Sequence, residues 1–448
     1  MKRKIIKPSL ASGFRDYLPD EMAEFQRMTD IIRGVFERYG FSPLDTPGIE
    51  RLEILTGGDK NFKKQIFTTS KERGDVPLAL RFDLTVPLAR VAAQYPALKK
   101  PFKRYQFGKV WRGEKAQAGR LREFLQCDVD IVGSRSGMAD AEIISVAYET
   151  LKALGMENFT IKINNRKLFD ALPEAVSFPE KKKESVIRAL DKLDKTGWKS
   201  VRDSLRADKF TKKQIDKIAD FVATGAVSSR ETFAALRRKF SGSLKMESGI
   251  AEMENLAKNI SVLGVPESAW KIDLSVARGL GYYTGSVFET IINDIPGIGS
   301  VCGGGRYDNL VERFGQASLP AVGISVGIAR LFTAMTELGM IKKRPALTEA
   351  IILNFDAACE EYVQSIASDL RKGDVRTEIY LGNEETLKGQ LAYALNREIP
   401  VVLVAGSDEK ARNTVQIKNI AARIQTETSI KDAARKVKEV LGKKVLMI

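Results

Sequence analysis

Apolar residues near the start of the chain recur at helical spacing. Met22, Phe25, Met28, Ile32 and Phe36 share one face of a helix predicted over 19–39. Pro19-Asp20-Glu21 suits its first turn and Gly40 stops it. Phe41 to Pro47 is expected to be extended, because each proline pushes the residue before it out of the helical region. Apolar runs predict strands at 78–83, 102–111 and 122–133. The connection between the last two holds Gly113 and Gly119 and is long for a hairpin. A helix over 137–154 and a strand over 158–164 follow.

The pattern changes after about residue 165. Residues 171–220 hold 13 Lys+Arg and 9 Asp+Glu with helical patterning, which predicts an inserted helical module ending near 260. Strand patterns return at 271–276, 286–292 and 321–324, glycines crowd 297–305, and 326–339 reads as a helix. Beyond Lys342-Lys-Arg-Pro-Ala346 the pattern alternates. It runs strand 350–354, helix 358–372, strand 375–380, helix 386–397, strand 400–405. That alternation predicts a separate small α/β domain.

Composition narrows the chemistry. The 448 residues include no histidine. This excludes a Ser-His-Asp triad, a Cys-His nucleophile pair, a histidine metal ligand and a histidine pH switch. Cys127, Cys302 and Cys359 are too few and too scattered for a disulfide framework or a zinc site, which favours a reducing compartment. No apolar run approaches a membrane span, and the basic start at Met1-Lys2-Arg3-Lys4 lacks the apolar core of a signal peptide. A cytoplasmic location is therefore expected. The net charge of +15 is consistent with a polyanionic partner and equally with a basic solvated surface.

Four clusters carry candidate chemistry. In the first, Arg112-Gly-Glu114 leads through Gly119-Arg120-Leu-Arg122 to Gln126-Cys-Asp128-Val-Asp130. Alternate strand residues share a face, so Gln126, Asp128 and Asp130 are expected together, beside Arg112 on the hairpin partner. A guanidinium there suits a phosphate, although a salt-bridged solvent face fits the same pattern. In the second, Arg81-Phe-Asp83-Leu-Thr85, Asp83 and Thr85 would share a strand face and bind an ammonium; a capping role for Asp83 fits equally well. The third is Arg278-Gly-Leu-Gly-Tyr282-Tyr283-Thr-Gly285, whose glycines admit a ligand while the phenols offer directed hydrogen bonds, or whose aromatics are simply core. The fourth joins Cys302-Gly-Gly-Gly305-Arg306-Tyr307-Asp308 to Gly323-Ile-Ser-Val-Gly327-Ile-Ala-Arg330. It is neither a Walker A loop nor a dinucleotide fingerprint. A glycine strand followed by a helix would place Arg330 in the first helical turn, near a nucleotide. Together the clusters suit a carboxylate attacking a nucleoside triphosphate. That reaction needs positioning and charge neutralisation more than acid–base groups, and so no histidine.

In order and spacing these motifs resemble the histidyl-tRNA synthetases, over nearly the whole chain. Gly13-Phe-Arg-Asp-Tyr-Leu-Pro19 is similar to the family's N-terminal segment, 19–47 to class II motif 1, Arg112-Gly-Glu114 to motif 2, and Gly323 to Arg330 to motif 3. Arg278-Gly-Leu-Gly-Tyr-Tyr283 resembles the family's own histidine-binding loop. The resemblance implies an α+β catalytic domain on an antiparallel sheet of the class II synthetase type. It also implies a helical insertion and a small C-terminal α/β anticodon-binding domain. The expected division is 1–168 and 261–342 for the catalytic core, 169–260 for the insertion, and 346–448 for the last domain.

The implied activity is ligation of histidine to tRNA(His) through a histidyl-adenylate, with ATP and Mg²⁺, in a homodimer formed through motif 1. The alternative is a catalytically silent paralogue that senses histidine or binds RNA. Carried onto this sequence, Arg112 would hold the ATP α-phosphate and the histidine carboxylate. Glu114 would read the adenine amino group, and Arg330 would stack on adenine and meet the γ-phosphate. Asp83 and Thr85 would bind the α-amino group and Gln126 would help to seat the substrate. Asp130 and Tyr283 would bind the two imidazole nitrogens beside Tyr282. Arg278 would act as a fixed cation at the α-phosphate. The chain departs from the family pattern at Gly281, where Asp is usual, at Ala329, where Glu is frequent, and at Leu125, where an aromatic residue or His is common. The basic 401–448 segment, with 10 Lys+Arg and 5 Asp+Glu, is consistent with backbone contacts to RNA.

Overall fold

The computed structural model describes residues 6–57, 65–70, 76–114, 121–225, 228–240, 242–277, 282–315, 318–341 and 347–442. The chain divides into two compact units, Met1–Tyr17 with Glu24–Ile341 and Leu18–Ala23 with Lys342–Ile448.

The larger unit is built on one eight-stranded sheet. Its strands are β1 (Ser42–Pro43), β5 (Phe102–Trp111), β6 (Glu123–Val132), β7 (Phe159–Asn165), β8 (Trp270–Ile272), β9 (Ser286–Ile292), β10 (Cys302–Arg306) and β11 (Ala321–Val326). A small second sheet holds β2 (Ile49–Arg51), β3 (Thr68–Thr69) and β4 (Leu78–Leu80). The large sheet runs β1-β5-β6-β11-β10-β9-β7-β8. Its edge pairs β1–β5 and β7–β8 are parallel and the pairs between them antiparallel.

The two faces of this sheet differ sharply. One presents Tyr105, Cys127, Val129, Ile131, Val322, Ile324 and Val326 to the main core. The first helix, Pro19–Arg38, buries Phe25, Met28, Ile32 and Phe36 in that core. The helix Gly137–Ala153 joins it, capped by Ser136 Oγ accepting from Met138 N at 3.2 Å. The other face carries arginine, aspartate, glutamine and glycine, and it positions the candidate site.

Among the described residues, six α-helices run between β7 and β8, from Arg166–Val176 to Leu244–Val262, as the change of pattern predicts. Thr211 with Gln214, and Ser228 with Glu231, form capping boxes at two of them. An ion pair from Lys162 to Asp194 ties this segment to the sheet. Lys162 of β7 lies 2.8 Å from Asp194 and 3.1 Å from Asp273.

In the second unit the sheet order is β13 (Thr377–Ile379), β12 (Ala350–Ile352), β14 (Val401–Val404), β15 (Thr414–Asn419), β16 (Ile424–Ser429). The first three are parallel and β15–β16 is an antiparallel hairpin. Ile352 and Leu403 face one buried cluster, Ile351 and Val402 another. Burial on both sides is why these strands read as continuous apolar runs.

Two expectations are corrected. The strand foreseen over 78–83 ends at Leu80, and Thr85 opens the helix Thr85–Gln94. The strand foreseen over 271–276 shrinks to Trp270–Ile272, because Asp273 Oδ1 accepts from Ser275 N at 3.0 Å and turns the chain. The glycine run Cys302–Arg306 forms β10, between β11 and β9 in the large sheet.

Candidate active site

Register sets the polar face out in rows across the sheet. One row is Arg104 (β5), Asp130 (β6), Gly323 (β11) and Gly305 (β10). The next is Gln106, Asp128, Ser325 and Gly303. Gln126 stands one step further, opposite Gly108. Two of the glycines are required by their neighbours. A Cβ on Gly323 would overlap the Asp130 carboxylate, and one on Gly305 would lie 2.9 Å from the Tyr283 ring. The floor is therefore backbone where a substrate lies, with side chains folded down onto it.

Charge is concentrated beneath this floor. Arg104 is fully buried, its Nη2 2.7 Å from Asp130 Oδ2, and it also donates to the Leu84 carbonyl at 3.3 Å. The Asp130 contact is close but off hydrogen-bond alignment, so Oδ2 has an ion-pair partner without a directed bond. The other Asp130 oxygen accepts from the Tyr307 hydroxyl. Asp83 Oδ1 accepts from Val86 N at 3.1 Å, the capping role, while Oδ2 is buried without a hydrogen-bond partner. Gln126 Nε2 donates to the Ser325 hydroxyl and, at 3.4 Å, to Asp128 Oδ1, leaving Gln126 Oε1 unpartnered.

Three buried carboxyls thus gather around the buried Arg104 guanidinium, with Arg81 and Arg112 as further countercharges. Burial raises Asp83 to about 6, opposed by the Val86 N–H, Arg112 and Arg104. Burial also raises Asp128 to about 7, opposed by Arg104 and Ser325 and reinforced by Asp130 and Asp83. Asp130 is raised by burial against Arg104 and Tyr307. Among the buried atoms without a hydrogen-bond partner here, Asp83 Oδ2, Gln106 Oε1, Gln126 Oε1 and Asp130 Oδ2 are acceptors that suit N–H donors, while Arg104 Nε and Nη1 are donors.

The other end carries arginine. Arg112 lies just beyond β5, with Nε donating to the Phe82 carbonyl at 3.1 Å and its guanidinium 5.0 Å from the Phe124 ring. Arg330 sits in the first turn of the helix Ile328–Glu337, directly after β11, and donates to the Ser300 carbonyl. Glu114 follows Arg112, and its carbonyl accepts from Arg122 Nε at 3.0 Å.

The structure gathers Asp83, Gln126, Asp130 and Tyr283 around the floor, with Arg112 at its far end. Thr85 lies at the helix start rather than on Asp83's strand face. Arg278 and Gly281 lie outside the described residues. Asp130 Oδ2 has the Arg104 ion-pair contact but no hydrogen-bond partner, while its other oxygen accepts from the Tyr307 hydroxyl. Sequence reading passed over Arg104, which looks like one more strand residue. It named Arg81 in the second cluster without giving it a role; its guanidinium lies over Gly108 and donates to the Thr46 and Lys109 carbonyls.

Behind the tyrosines a second network holds the chain. Thr284 Oγ1 donates to Asp308 Oδ2 at 2.9 Å and accepts from Asp308 N at 3.0 Å. Arg306 reaches Asp308 Oδ1 at 3.3 Å and grips both oxygens of Asp140. A polar cavity of about 430 Å³ lies beside Asp140, Asn165, Glu252 and Arg306, behind this latch rather than over the floor.

The family model described as histidyl-tRNA synthetase matches residues 13–331, and the anticodon binding domain model matches 349–440. A histidine–tRNA ligase of Clostridium tetani is 42% identical over 98% of this chain and all of that protein. One from Xanthomonas campestris is 39% identical over 94% of each. The crystal structure of histidyl-tRNA synthetase from Nostoc sp. PCC 7120 superposes with a TM-score of 0.85 at 32% identity, covering 97% of this chain and 100% of that one. The antiparallel sheet with its polar floor defines a class II aminoacyl-tRNA synthetase. Within that class the chain belongs to the histidyl-tRNA synthetase family.

Proposed function

We propose that this chain activates L-histidine with ATP to histidyl-adenylate and transfers it to the 3′ end of tRNA(His), releasing AMP and diphosphate. The observation that carries the amino-acid half is the set of buried acceptors without donors at one end of the floor. A neutral imidazole offers one donor and one acceptor, and an α-ammonium offers three donors. Asp83, with Thr85 nearby, and Gln126 take the ammonium end; Tyr282, Tyr283 and Asp130 border the ring.

Arg112 and Arg330 hold the nucleotide phosphates, Glu114 takes the adenine edge, and Arg278 supplies a further cation at the α-phosphate. Positioned guanidinium groups neutralise charge that grows as the carboxylate attacks phosphorus. Mg²⁺ arrives on ATP as part of the substrate. Among the described residues no three His, Cys, Asp or Glu side chains converge as a metal site.

The domain reading follows the same logic. Residues 1–168 and 261–342 form the catalytic core, 169–260 a helical insertion against tRNA, and 346–448 the anticodon-reading domain. Two basic surfaces suit a folded RNA read by shape and by splayed bases. A homodimer through 19–47 and a cytoplasmic location complete the proposal; among the described residues no helix is long and apolar enough to cross a membrane.

Diphosphate exchange with ATP, run across all twenty amino acids, tests the reading. Histidine alone is expected to drive exchange. A wild-type protein silent toward histidine would overturn the proposal.

A further inference from the structure

Strand β7 ends where the first inserted helix begins, and this junction grips a distant part of the chain. Asn165 caps the helix Arg166–Val176 by accepting from Lys167 N at 2.9 Å. Arg166, the first helical residue, is buried and reaches three places. Its backbone N–H donates to the Gly285 carbonyl at 2.8 Å. Its Nη1 donates to the Ala277 carbonyl at 3.3 Å. Its Nη2 lies 3.5 Å from Glu184 Oε1, on the inserted helix Lys183–Leu190. Two residues back, Asn164 is fully buried and donates from Nδ2 to the Val276 carbonyl at 3.0 Å.

These contacts bracket one segment. Ala277 and Gly285 flank 278–284, which contains Arg278, Tyr282 and Tyr283. A buried guanidinium is costly unless its donors are used. Here two of its nitrogens go to separate acceptors, one at the entry to that segment and one on an inserted helix. A lysine ammonium has no rigid fork with which to span both. The exit end has fastenings that do not depend on the Arg166 side chain. Gly285 is held by the Arg166 backbone, and Thr284 by Asp308. The guanidinium therefore bears on the entry end, next in sequence to Arg278.

We propose that Arg166 is a positioning residue for the reaction. Its side chain fixes the entry to the 278–284 segment, and so the placement of Arg278, while Glu184 of the inserted helices holds that side chain in place. This rests on the histidine-activation reading above and deepens it. Arg166 acts through the backbone of this segment and takes no part in bond making or proton transfer.

Full-length Arg166→Met, Arg166→Lys and Glu184→Gln are compared by diphosphate exchange with histidine, well below each melting temperature. Arg166→Met is expected to lower kcat tenfold or more, with the KM values for histidine and ATP within threefold. A misplaced cation weakens the transition state more than ground-state binding. Arg166→Lys keeps the charge and one acceptor, and is expected to recover part of the lost kcat. Glu184 is exposed, so Glu184→Gln is expected to fold normally. It should lower kcat two- to threefold, and cause no further loss when added to Arg166→Met. A kcat within twofold of wild type in Arg166→Met would overturn the assignment. So would a rise in both KM values as large as the fall in kcat, the mark of general loosening, or a wild-type kcat in Glu184→Gln. Should Arg166→Met fail to fold, the kcat of Glu184→Gln decides alone. Wild-type silence toward histidine would instead overturn the underlying reading, and the two failures are therefore distinguishable.

Discussion

Tyr283 and Gly305 compete for one volume. A Cβ added to Gly305 would lie 2.9 Å from the tyrosine's Cδ1 and would also press on the Ser286 carbonyl. Gly305→Ala is expected to push the ring off the floor and raise the histidine KM at least tenfold. Overpacking of this kind costs about 1–3 kcal/mol, so the melting temperature falls as well. Exchange kinetics and thermal melts check both effects; an unchanged KM would remove Tyr283 from the ring's border.

The buried carboxyls give the free protein a defined pH response. Asp128, raised to about 7, and Asp83, raised to about 6, have folded values above their unfolded ones, about 3.9. Such groups favour the fold while protonated, so stability declines as pH climbs from the unfolded value through the folded one. Without substrate, Asp128→Asn is expected to melt above wild type at pH 8, with the gap closing toward pH 4. Scanning calorimetry reads this directly. A gap constant with pH would contradict a raised Asp128.

Arg104 is the buried countercharge closest to Asp130. Arg104→Met is expected to destabilise by about 3–5 kcal/mol, because it strands the Asp130 carboxylate in the interior. Adding Asp130→Asn to Arg104→Met should recover much of that loss. A double-mutant cycle in denaturant measures the coupling. Strict additivity would mean that the pair is not a unit.

Thr284 links the tyrosine pair to the Asp308–Arg306–Asp140 network without facing the floor. Thr284→Val keeps the shape and deletes the hydroxyl. It is expected to raise the histidine KM about three- to tenfold, in line with one lost hydrogen bond, with the ATP KM unchanged. Thr284→Ser should restore wild-type kinetics. Equal defects in the two variants would point to packing instead.

Much of this was legible in the chain because pattern and structure share a period. The first helix, β5, β6 and the alternating elements of the second unit lie close to where periodicity puts them. Legibility failed where backbone replaces side chain. β10 has three glycines in five residues and so no apolar rhythm, although it is central in the sheet. The β15–β16 hairpin was missed because β16, Ile-Gln-Thr-Glu-Thr-Ser, buries almost nothing.

In the candidate site, the motifs named Asp83, Arg112, Gln126 and Tyr283 by type and spacing. They could not show that Arg104, twenty-six residues before Asp130, would meet it across a hairpin register. Nor could they show that Tyr307 would spend its hydroxyl on the same carboxylate. Pairing across strands is a long-range fact that residue type and spacing do not carry.

The floor meets its ligand with carboxylates, amides, phenols and guanidinium groups, in a chain whose 448 residues include no imidazole. In a complex with ¹⁵N-labelled histidine, every imidazole resonance in the NMR spectrum therefore belongs to the ligand, free or bound. Nitrogen shifts would report the tautomer and protonation of the bound ring with no protein background. The protein is thus its own blank for spectroscopy of its substrate.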